Sequence, residues 1–519
     1  MKQLVLHPFF FGLFPILFLF SYNIGHVSAD QLIVPLYLVT LITLGAWLVL
    51  QLLYKNKFKS GLGVSLFLFL FFSYGHMFSA LPTEPISLRR HAFLLVIWVL
   101  LFLFGTFYLK RTTRDFSQVN SGLNLAGAAL VAFPFLTGAL YPITSTPFEQ
   151  EAHAALLPRI ETDGLPLPER LPDIYYILLD AYARADTLKE IHGYNNSEFL
   201  DFLKEKGFYV AGKSRANYNQ TWLALASALN LTYINDMAGR NGMEGNNRTP
   251  LKNMIQNNHV VSFLKDFGYK FVSFESGQSF SNMKAADIHL PDRQAPDEFQ
   301  VTLLDTTPLP GLFYEVGRLF GSPHTAYQAH RDRINYALDH LADLAGVESP
   351  IFVFAHILAP HPPFVFGPNG EAIEPNRRYW IGDGTAFISK GGTVREYLQN
   401  YKGEVEYLNQ RLKVVIENIL AKSPEPPIII IQSDHGSRLQ LDWENPDNTN
   451  FQEAFSILSA FYVPDTSTQG VYEGISPVNT FRVLFNTYFG THYEILPDRS
   501  YYSTWDELYE FLEVTDQVT

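Results

Sequence analysis

There is no cysteine among the 519 residues. That excludes disulfides, thiolate metal sites and a cysteine nucleophile. The absence is compatible with an extracytoplasmic location without establishing one. Basic residues are also scarce, 38 Lys and Arg against 51 Asp and Glu. The deficit is uneven. Residues 1–145 hold nine of the basic residues and three of the acidic ones, which leaves 29 and 48 beyond them, a net of −19. An acidic globular part argues against a nucleic-acid partner, which would call for a basic face. Internal repeats and low-complexity tracts are absent too. The length exceeds what one domain holds.

Long apolar runs dominate the N-terminal part. Stretches able to cross a bilayer, about 20 residues each, occur near Val5–Tyr22, Val34–Leu53, Leu62–Leu81, Phe93–Leu109 and Leu123–Tyr141. They predict a transmembrane domain of five helices over 1–145, with a lipid bilayer as partner. Lys2 precedes the first run; Lys55, Lys57 and Lys59 follow the second; Lys110, Arg111 and Arg114 follow the fourth. The loop after the first run has no basic residue, and the loop after the third has only Arg89 and Arg90. The positive-inside rule then places the N-terminus in the cytoplasm. An odd number of spans delivers everything after about Pro142 to the other side. A competing reading takes Met1–Ala29, ending Val27-Ser28-Ala29, as a cleaved signal peptide, and it leaves the C-terminal part outside as well. His7, His26, His76 and His91 fall near span ends and read as interfacial or packed groups. A linker is expected over 146–172, marked by Pro147, Pro158, Pro166, Pro168 and Pro172.

From Asp173 onward, apolar strands alternate with helical patterns. This indicates an α/β domain over 173–519 with a mainly parallel sheet. Ile428–Ile431 is apolar at every position, so both faces should be covered. It stops at Ser433-Asp434-His435-Gly436. Ile174–Leu179 is a second such strand and ends in Asp180. Open α/β sheets carry their chemistry outside the carboxyl ends of the strands. A carboxylate and an imidazole there suit a divalent cation such as Zn²⁺ or Mn²⁺; the alternative is a helix-capping Asp followed by a surface His. Thr221 stands before the helical run Trp222–Leu229, beside free backbone N–H groups and the positive end of the helix dipole. That position favours an alkoxide or a phosphate, the alternative being an ordinary cap by Thr221 or Asn219. The strand Ile351–Ala355 leads into His356 and then His361, in a loop with Pro360, Pro362 and Pro363. A rigid loop suits a site residue; a hydrogen-bonded loop histidine is the alternative for each. Helices are further expected over Asn196–Lys206, Lys252–Phe267, Tyr327–Leu344, Val394–Leu420, Val478–Phe489 and Trp505–Leu512, and strands over Tyr269–Phe274 and Phe455–Val463.

Asp180 after the first strand, Thr221 opening a helix, a His-Pro-Pro-Phe loop at His361 and Ser433-Asp434-His435-Gly436 after a late strand stand in that order. In this the chain resembles the alkaline phosphatase/sulfatase superfamily. Within it, the chain is similar to the membrane-bound branch of lipoteichoic acid synthase and the lipid A phosphoethanolamine transferases. Those proteins also join five spans to an extracytoplasmic sulfatase-like domain. The resemblance implies a sulfatase-like α/β/α sandwich with one divalent metal ion, Zn or Mn, held by Asp180, Thr221, Asp434 and His435. It implies Thr221 as nucleophile and His361, with His356, as substrate-binding groups. The implied function is transfer of a phospho-group, of phosphoglycerol or phosphoethanolamine type, through a phospho-threonine intermediate. The donor would be lipid-linked, the acceptor an envelope glycan or lipid, and the site on the outer side of the cell (inner or plasma) membrane. Two departures stand out: Asp180 occupies a position where those transferases usually have Glu, and the disulfide cysteines of some lipid A enzymes are absent. Sulfatases of this fold oxidise a Cys or Ser within Cys/Ser-x-Pro-x-Arg. The chain has no Cys and no Ser-x-Pro-x-Arg, so an unmodified Thr fits phosphoryl chemistry better. Phosphate or sulfate ester hydrolysis, and a non-catalytic membrane scaffold that keeps the fold, are the alternative readings.

Overall fold

The N-terminal apolar runs fold as helices α1 (His7–Tyr22), α2 (Ile33–Tyr54), α3 (Lys57–Ala80), α4 (Arg89–Arg111) and α5 (Ser117–Leu156). The structure, a computed structural model, describes residues 3–24, 27, 29–80, 89–156, 170–239, 243–290, 298–312, 326–375, 377, 379–464 and 470–518. His26, Ser28 and residues 157–169 of the expected linker, with Pro158, Pro166 and Pro168, lie outside the described residues. The chain divides into two units, Met1–Pro147 with Pro296–Thr325, and Phe148–Ala295 with Ala326–Thr519.

In the first unit, among the described residues, four helices are long and apolar enough to cross a membrane: Ile33–Tyr54, Lys57–Ala80, Phe93–Arg111 and Ser117–Leu140. Helix α1 has 16 residues, about 24 Å at 1.5 Å per residue, and is shorter than the roughly 30 Å of a bilayer core. Its first N–H groups are capped from a distant helix: Asn124 Oδ1 accepts from Leu6 N at 2.9 Å and His7 N at 2.8 Å. Large apolar side chains face outward, with Phe104, Leu125 and Phe133 exposed by 71%, 75% and 71%. Only an apolar surrounding leaves such a surface without cost. The inner cluster joins Ile16, Val39, Leu50, Val64 and Leu68 to Phe299 and Leu303, which belong to the helix Glu298–Leu304. Beyond that helix, Gly75 N donates to Thr306 O at 2.9 Å. A Cβ on Gly75 would lie 1.8 Å from Asp305 O, so only glycine permits this approach.

Among the described residues, the main sheet of the second unit has seven strands: β1 (Ile174–Leu179), β2 (Tyr209–Val210), β3 (Lys270–Phe274), β4 (Ile288–Leu290), β5 (Ile351–Ile357), β6 (Ile428–Gln432) and β7 (Ser459–Tyr462). Their order is β2-β7-β6-β1-β5-β3-β4. The run from β6 to β4 is parallel, β7 is antiparallel to β6, and β2 is antiparallel to β7. All six residues of β1 are buried. Alternate side chains enter opposite faces of the sheet. Tyr175, Ile177 and Leu179 join a cluster with Tyr401, Leu408 and Leu412, from the helix Val394–Lys422. Ile174, Tyr176 and Leu178 join another with Leu225, Leu229, Phe481 and Phe485. Burial on both faces explains why the central strands are apolar at every position. Each such side chain contributes about 1.5–3 kcal/mol.

Five expectations change. The linker expected over 146–172 begins later, because α5 continues to Leu156. The strand expected over Ile351–Ala355 runs on to Ile357, because its parallel pairing with β1 extends that far, so His356 lies in the strand and not in the loop. Lys252–Phe267 is two helices, Thr249–Gln256 and His259–Asp266. Asn257 leaves the helical region, and the Asn258 side chain caps the second helix by accepting from Val261 N. Trp505–Leu512 is not a helix, because its backbone donors are taken by distant loops: Trp505 N donates to Trp443 O and Leu508 N to Gly245 O. The expected strand Phe455–Val463 begins later, because Asn450 caps a short helix, Phe451–Phe455.

Candidate functional site

The parallel register aligns Leu178 of β1 with His356 of β5 and with Gln432 of β6. Residues just past these strands therefore reach one edge at one height. Asp180 N extends the ladder by donating to Ile357 O at 2.9 Å. The chain then turns through Ala181, which holds a left-handed φ of 67°, a conformation non-glycine residues seldom adopt away from functional or over-determined sites. Asp434 Oδ1 accepts from Ala181 N at 3.3 Å. Ser433 Oγ accepts from Tyr182 N at 2.8 Å and donates to His435 O at 2.7 Å. The loop after β6 needs Gly436: its N–H donates to Ala454 O at 2.8 Å, and a Cβ there would lie 1.9 Å from Glu453 O.

Thr221 is the first residue of the helix Thr221–Asn230, after the extended N-cap Gln220, whose side chain makes no capping bond. The preceding turn is held from the C-terminal loop instead. Asn219 Nδ2 donates to Ser503 O at 3.0 Å, and Gln220 Nε2 donates to Thr504 O at 2.9 Å. The Thr221 hydroxyl faces the sheet edge, 3.2 Å from His435 Nε2.

The structure brings four sequence-chosen side chains together at that nitrogen. Asp180 Oδ1 lies 3.1 Å from His435 Nε2, Asp434 Oδ2 lies 3.2 Å from it, and Thr221 Oγ1 lies 3.2 Å from it. His435 Nδ1 sits 2.9 Å from Gly436 O, so its N–H is spent there and the Nε2 lone pair faces the oxygens. Asp180 Oδ1 and Asp434 Oδ2 are buried with no hydrogen-bond partner. Buried carboxylate oxygens in that state need a counter-charge. The spacing fits one: tetrahedral bonds of about 2.0 Å place neighbouring ligand atoms about 3.3 Å apart. Oxygen and imidazole donors suit a divalent cation such as Zn²⁺ or Mn²⁺. One potential ligand atom from each of Asp180, His361 and His435 also lies within 4.8 Å of the others.

His356 lies behind this cluster. Its Nε2 is 3.3 Å from Asp180 Oδ2 and its Nδ1 is 2.8 Å from Ser281 Oγ. It is buried and fixes the orientation of the Asp180 carboxylate. His361 lies on the other side, with its ring centroid 6.0 Å from that of His435. Its Nδ1 is 2.5 Å from Pro362 O. Its Nε2 is 3.3 Å from Asp383 Oδ2 and 3.3 Å from Arg438 Nη2. Asp383 and Arg438 are site groups that the sequence reading does not single out. Arg438 follows His435 by three residues, which was the available signal; Asp383 comes from an unremarkable Gly-Asp-Gly loop. Glu404 is a third such group: its Oε1 accepts from Val365 N at 3.0 Å and Phe366 N at 3.3 Å, holding the loop that carries His361.

These groups shift one another's acidity. Burial pushes Asp180 up, but His361, His356 and His435 outweigh it and hold the carboxyl well below its usual range. For His361, burial favours the neutral ring, yet the Asp180 and Asp383 carboxylates raise it to about 9. Burial raises Asp383 as well, and Arg438 and His361 bring it down to about 2. Glu404 goes the other way. Burial dominates its two backbone hydrogen bonds and raises it to about 8.

No family model and no curated protein matches the sequence. Among solved structures, the chain is similar to the zinc complex of the C-terminal periplasmic domain of EcEptC from Escherichia coli, at 13% identity, covering 70% of this chain and 97% of that one, with a TM-score of 0.43. A second is the C-terminal periplasmic domain of the phosphoethanolamine transferase EptC from Campylobacter jejuni, at 12% identity, covering 61% and 89%, with a TM-score of 0.35. A third is a protein in the alkaline phosphatase superfamily from Vibrio parahaemolyticus, at 11% identity, covering 69% and 80%, with a TM-score of 0.39.

Proposed function

We propose that the protein is a membrane-anchored, metal-dependent phosphotransferase or phosphodiesterase of sulfatase-like α/β/α architecture, acting outside the cytoplasm. In this reading α1 is the first of five crossings, and residues 1–145, 146–172 and 173–519 serve as anchor, linker and catalytic domain, except that α5 continues to Leu156 and residues 296–325 group with the anchor. The observation that carries the proposal is the convergence of Asp180 Oδ1, Asp434 Oδ2 and Thr221 Oγ1 within 3.2 Å of His435 Nε2. Asp180, Thr221, Asp434 and His435 hold the divalent ion, Zn or Mn. When bound, the ion lowers the pKa of a coordinated hydroxyl and offsets charge on a phosphoryl group.

The chain's own residues do the rest. Thr221 Oγ forms a bond to phosphorus as the bond from phosphorus to the donor's ester oxygen breaks. His361 binds the phosphoryl group and supplies the proton from its Nε2 to the leaving oxygen. His356 steadies Asp180 and so acts on the substrate indirectly. An acceptor hydroxyl then gives its proton to His361 Nε2 and forms a bond to phosphorus as the bond from phosphorus to Thr221 Oγ breaks, which leaves the threonine oxygen deprotonated as at the start. A multi-span anchor favours a lipid-linked donor, because it holds the site at the membrane surface, with an envelope glycan or lipid as acceptor.

The test is intact-mass spectrometry of the full-length protein, with phospholipid donor, beside metal analysis. Wild type is expected to carry a phospho-group on Thr221 and one equivalent of Zn or Mn. Thr221→Ala is expected to lose the adduct and all measurable turnover while keeping its fold. Unchanged turnover in Thr221→Ala would sink the proposal.

A further inference from the structure

His361 poses a sorting problem. It lies close enough to Asp180 and His435 to be a metal ligand, yet the reading above needs it free for substrate. The side chains around it resolve this. Its Nδ1 is occupied by Pro362 O at 2.5 Å. Its Nε2 meets Asp383 Oδ2 and Arg438 Nη2, each at 3.3 Å. A proton on Nε2 is held by the Asp383 carboxylate. A lone pair on Nε2 is met by an Arg438 N–H. A cation needs a bare lone pair on Nε2 and finds none in either arrangement, whereas an oxyanion can take the Nε2 proton's hydrogen bond in place of Asp383 Oδ2 and is drawn by the Arg438 charge.

The guanidinium doing this is firmly placed. Arg438 is 3% exposed. Its Nε donates to Asp383 Oδ2 at 2.6 Å, its Nη1 donates to Asn219 O, and its plane lies over the Trp443 ring at 5.1 Å. Arg438 itself holds a left-handed φ of 57°. Its loop is pinned by the buried Glu453 carboxylate, which accepts from Ser437 Oγ at 2.7 Å, Leu439 N at 2.9 Å and Gln440 N at 2.7 Å. Asn219 is two residues before Thr221. Arg438 thus links the His361 loop, the Asp383 loop and the turn that presents Thr221. A fork of fixed donors can hold three partners at once, which an ammonium on a flexible stem cannot.

We infer that Arg438, with Asp383, is a positioning residue that keeps His361 out of the metal's ligand shell and reserves it for the phosphoryl group. The inference rests on the reading under Proposed function. It divides five candidate donors into four ligands and one substrate group, and it names a chain-borne cation as the divider.

The experiment uses the full-length protein in detergent, loaded with Mn²⁺, with electron spin-echo modulation to count coordinated imidazoles. Wild type should show one imidazole. Arg438→Met should show two and bind Mn²⁺ about tenfold more tightly, the order of effect expected when a metal's ligand surroundings change. It should also lose kcat with little change in KM, because a captured His361 no longer serves the leaving oxygen. Arg438→Lys should fall between, keeping the charge without the fork. In case Arg438→Met does not fold, His361→Gln in the otherwise native protein decides. It should still show one imidazole, with Mn²⁺ affinity changed far less than the about 10–100-fold that disturbing a ligand costs. Two imidazoles in wild type, one in a folded Arg438→Met, or a tenfold affinity loss in His361→Gln would each overturn the inference. Absence of any bound metal in wild type would instead bring down the underlying functional reading.

Discussion

Two acidic clusters lie side by side at one edge of the sheet, and they deal with buried negative charge in opposite ways. Around His435 Nε2, Asp180 and Asp434 present oxygens that no donor satisfies, and no Lys or Arg pairs with either carboxylate among the described residues. Around Asp383, the chain supplies its own cation, Arg438, and a histidine raised to about 9. Glu404 shows a third solution: buried and raised to about 8, it remains neutral by keeping a proton. A buried carboxylate without a partner costs several kcal/mol. The first cluster therefore lacks a chain-borne cation, while the second holds one in Arg438, although Asp383 Oδ1 is also buried without a hydrogen-bond partner. The difference lies in how the charge is balanced, by the chain itself in one cluster and not in the other.

The largest break in this comparison comes from the ion-seeking side. His435→Gln removes the nitrogen on which three oxygens converge, and is expected to abolish stoichiometric Zn or Mn by elemental analysis and reduce turnover by about 10³-fold or more. Retention of a full metal equivalent would show that the cluster is not a metal centre. A smaller effect follows from loosening its support. His356→Gln frees the Asp180 carboxylate to rotate, and is expected to weaken metal binding by about 10–100-fold in a chelator competition while leaving the ligands in place. No loss of affinity would make His356 a packing residue only. The smallest effect belongs to the proton-keeping carboxyl. Between pH 4.5 and about 8 the folded Glu404 holds a proton that the unfolded chain has released. Its contribution to stability is therefore full below 4.5 and is lost as pH rises to about 8. In Glu404→Gln that loss should vanish, and Tm should fall less across the window than in wild type. Parallel curves for the two proteins would show that Glu404 does not titrate there.

The legible and illegible parts of the sequence divide along the same line. The strands at Ile174 and Ile428 can be read because burial on both faces leaves no room for polar residues. Asp180, Asp434, His435 and Thr221 can be read because each abuts an element terminus, where parallel register gathers side chains at one edge. Asp383 and Arg438 offer no such mark. They sit 55 residues apart in irregular loops, and their pairing is decided by packing around Trp443 and Glu453. Local pattern also misleads where loops outcompete a helix. The apolar spacing of Trp505–Leu512 suits a helix, but Leu508 and Tyr509 are buried against other loops, and Tyr509 Oη donates to Asn247 O. At Asn257 and Asn258, polar side chains able to cap a helix interrupt a run whose apolar spacing alone predicts continuity.

The helix Glu298–Leu304 carries a practical message for anyone who handles this protein in pieces. It is encoded in the middle of the enzyme-like half, yet Phe299 and Leu303 are buried among Ile16, Val39 and Leu68. A cut in the backbone between residues 157 and 169 would leave that packing of Phe299 and Leu303 in place. A fragment started at residue 170 would carry both side chains bare into water, and its solubility would improve most by excising the excursion rather than by moving the start site.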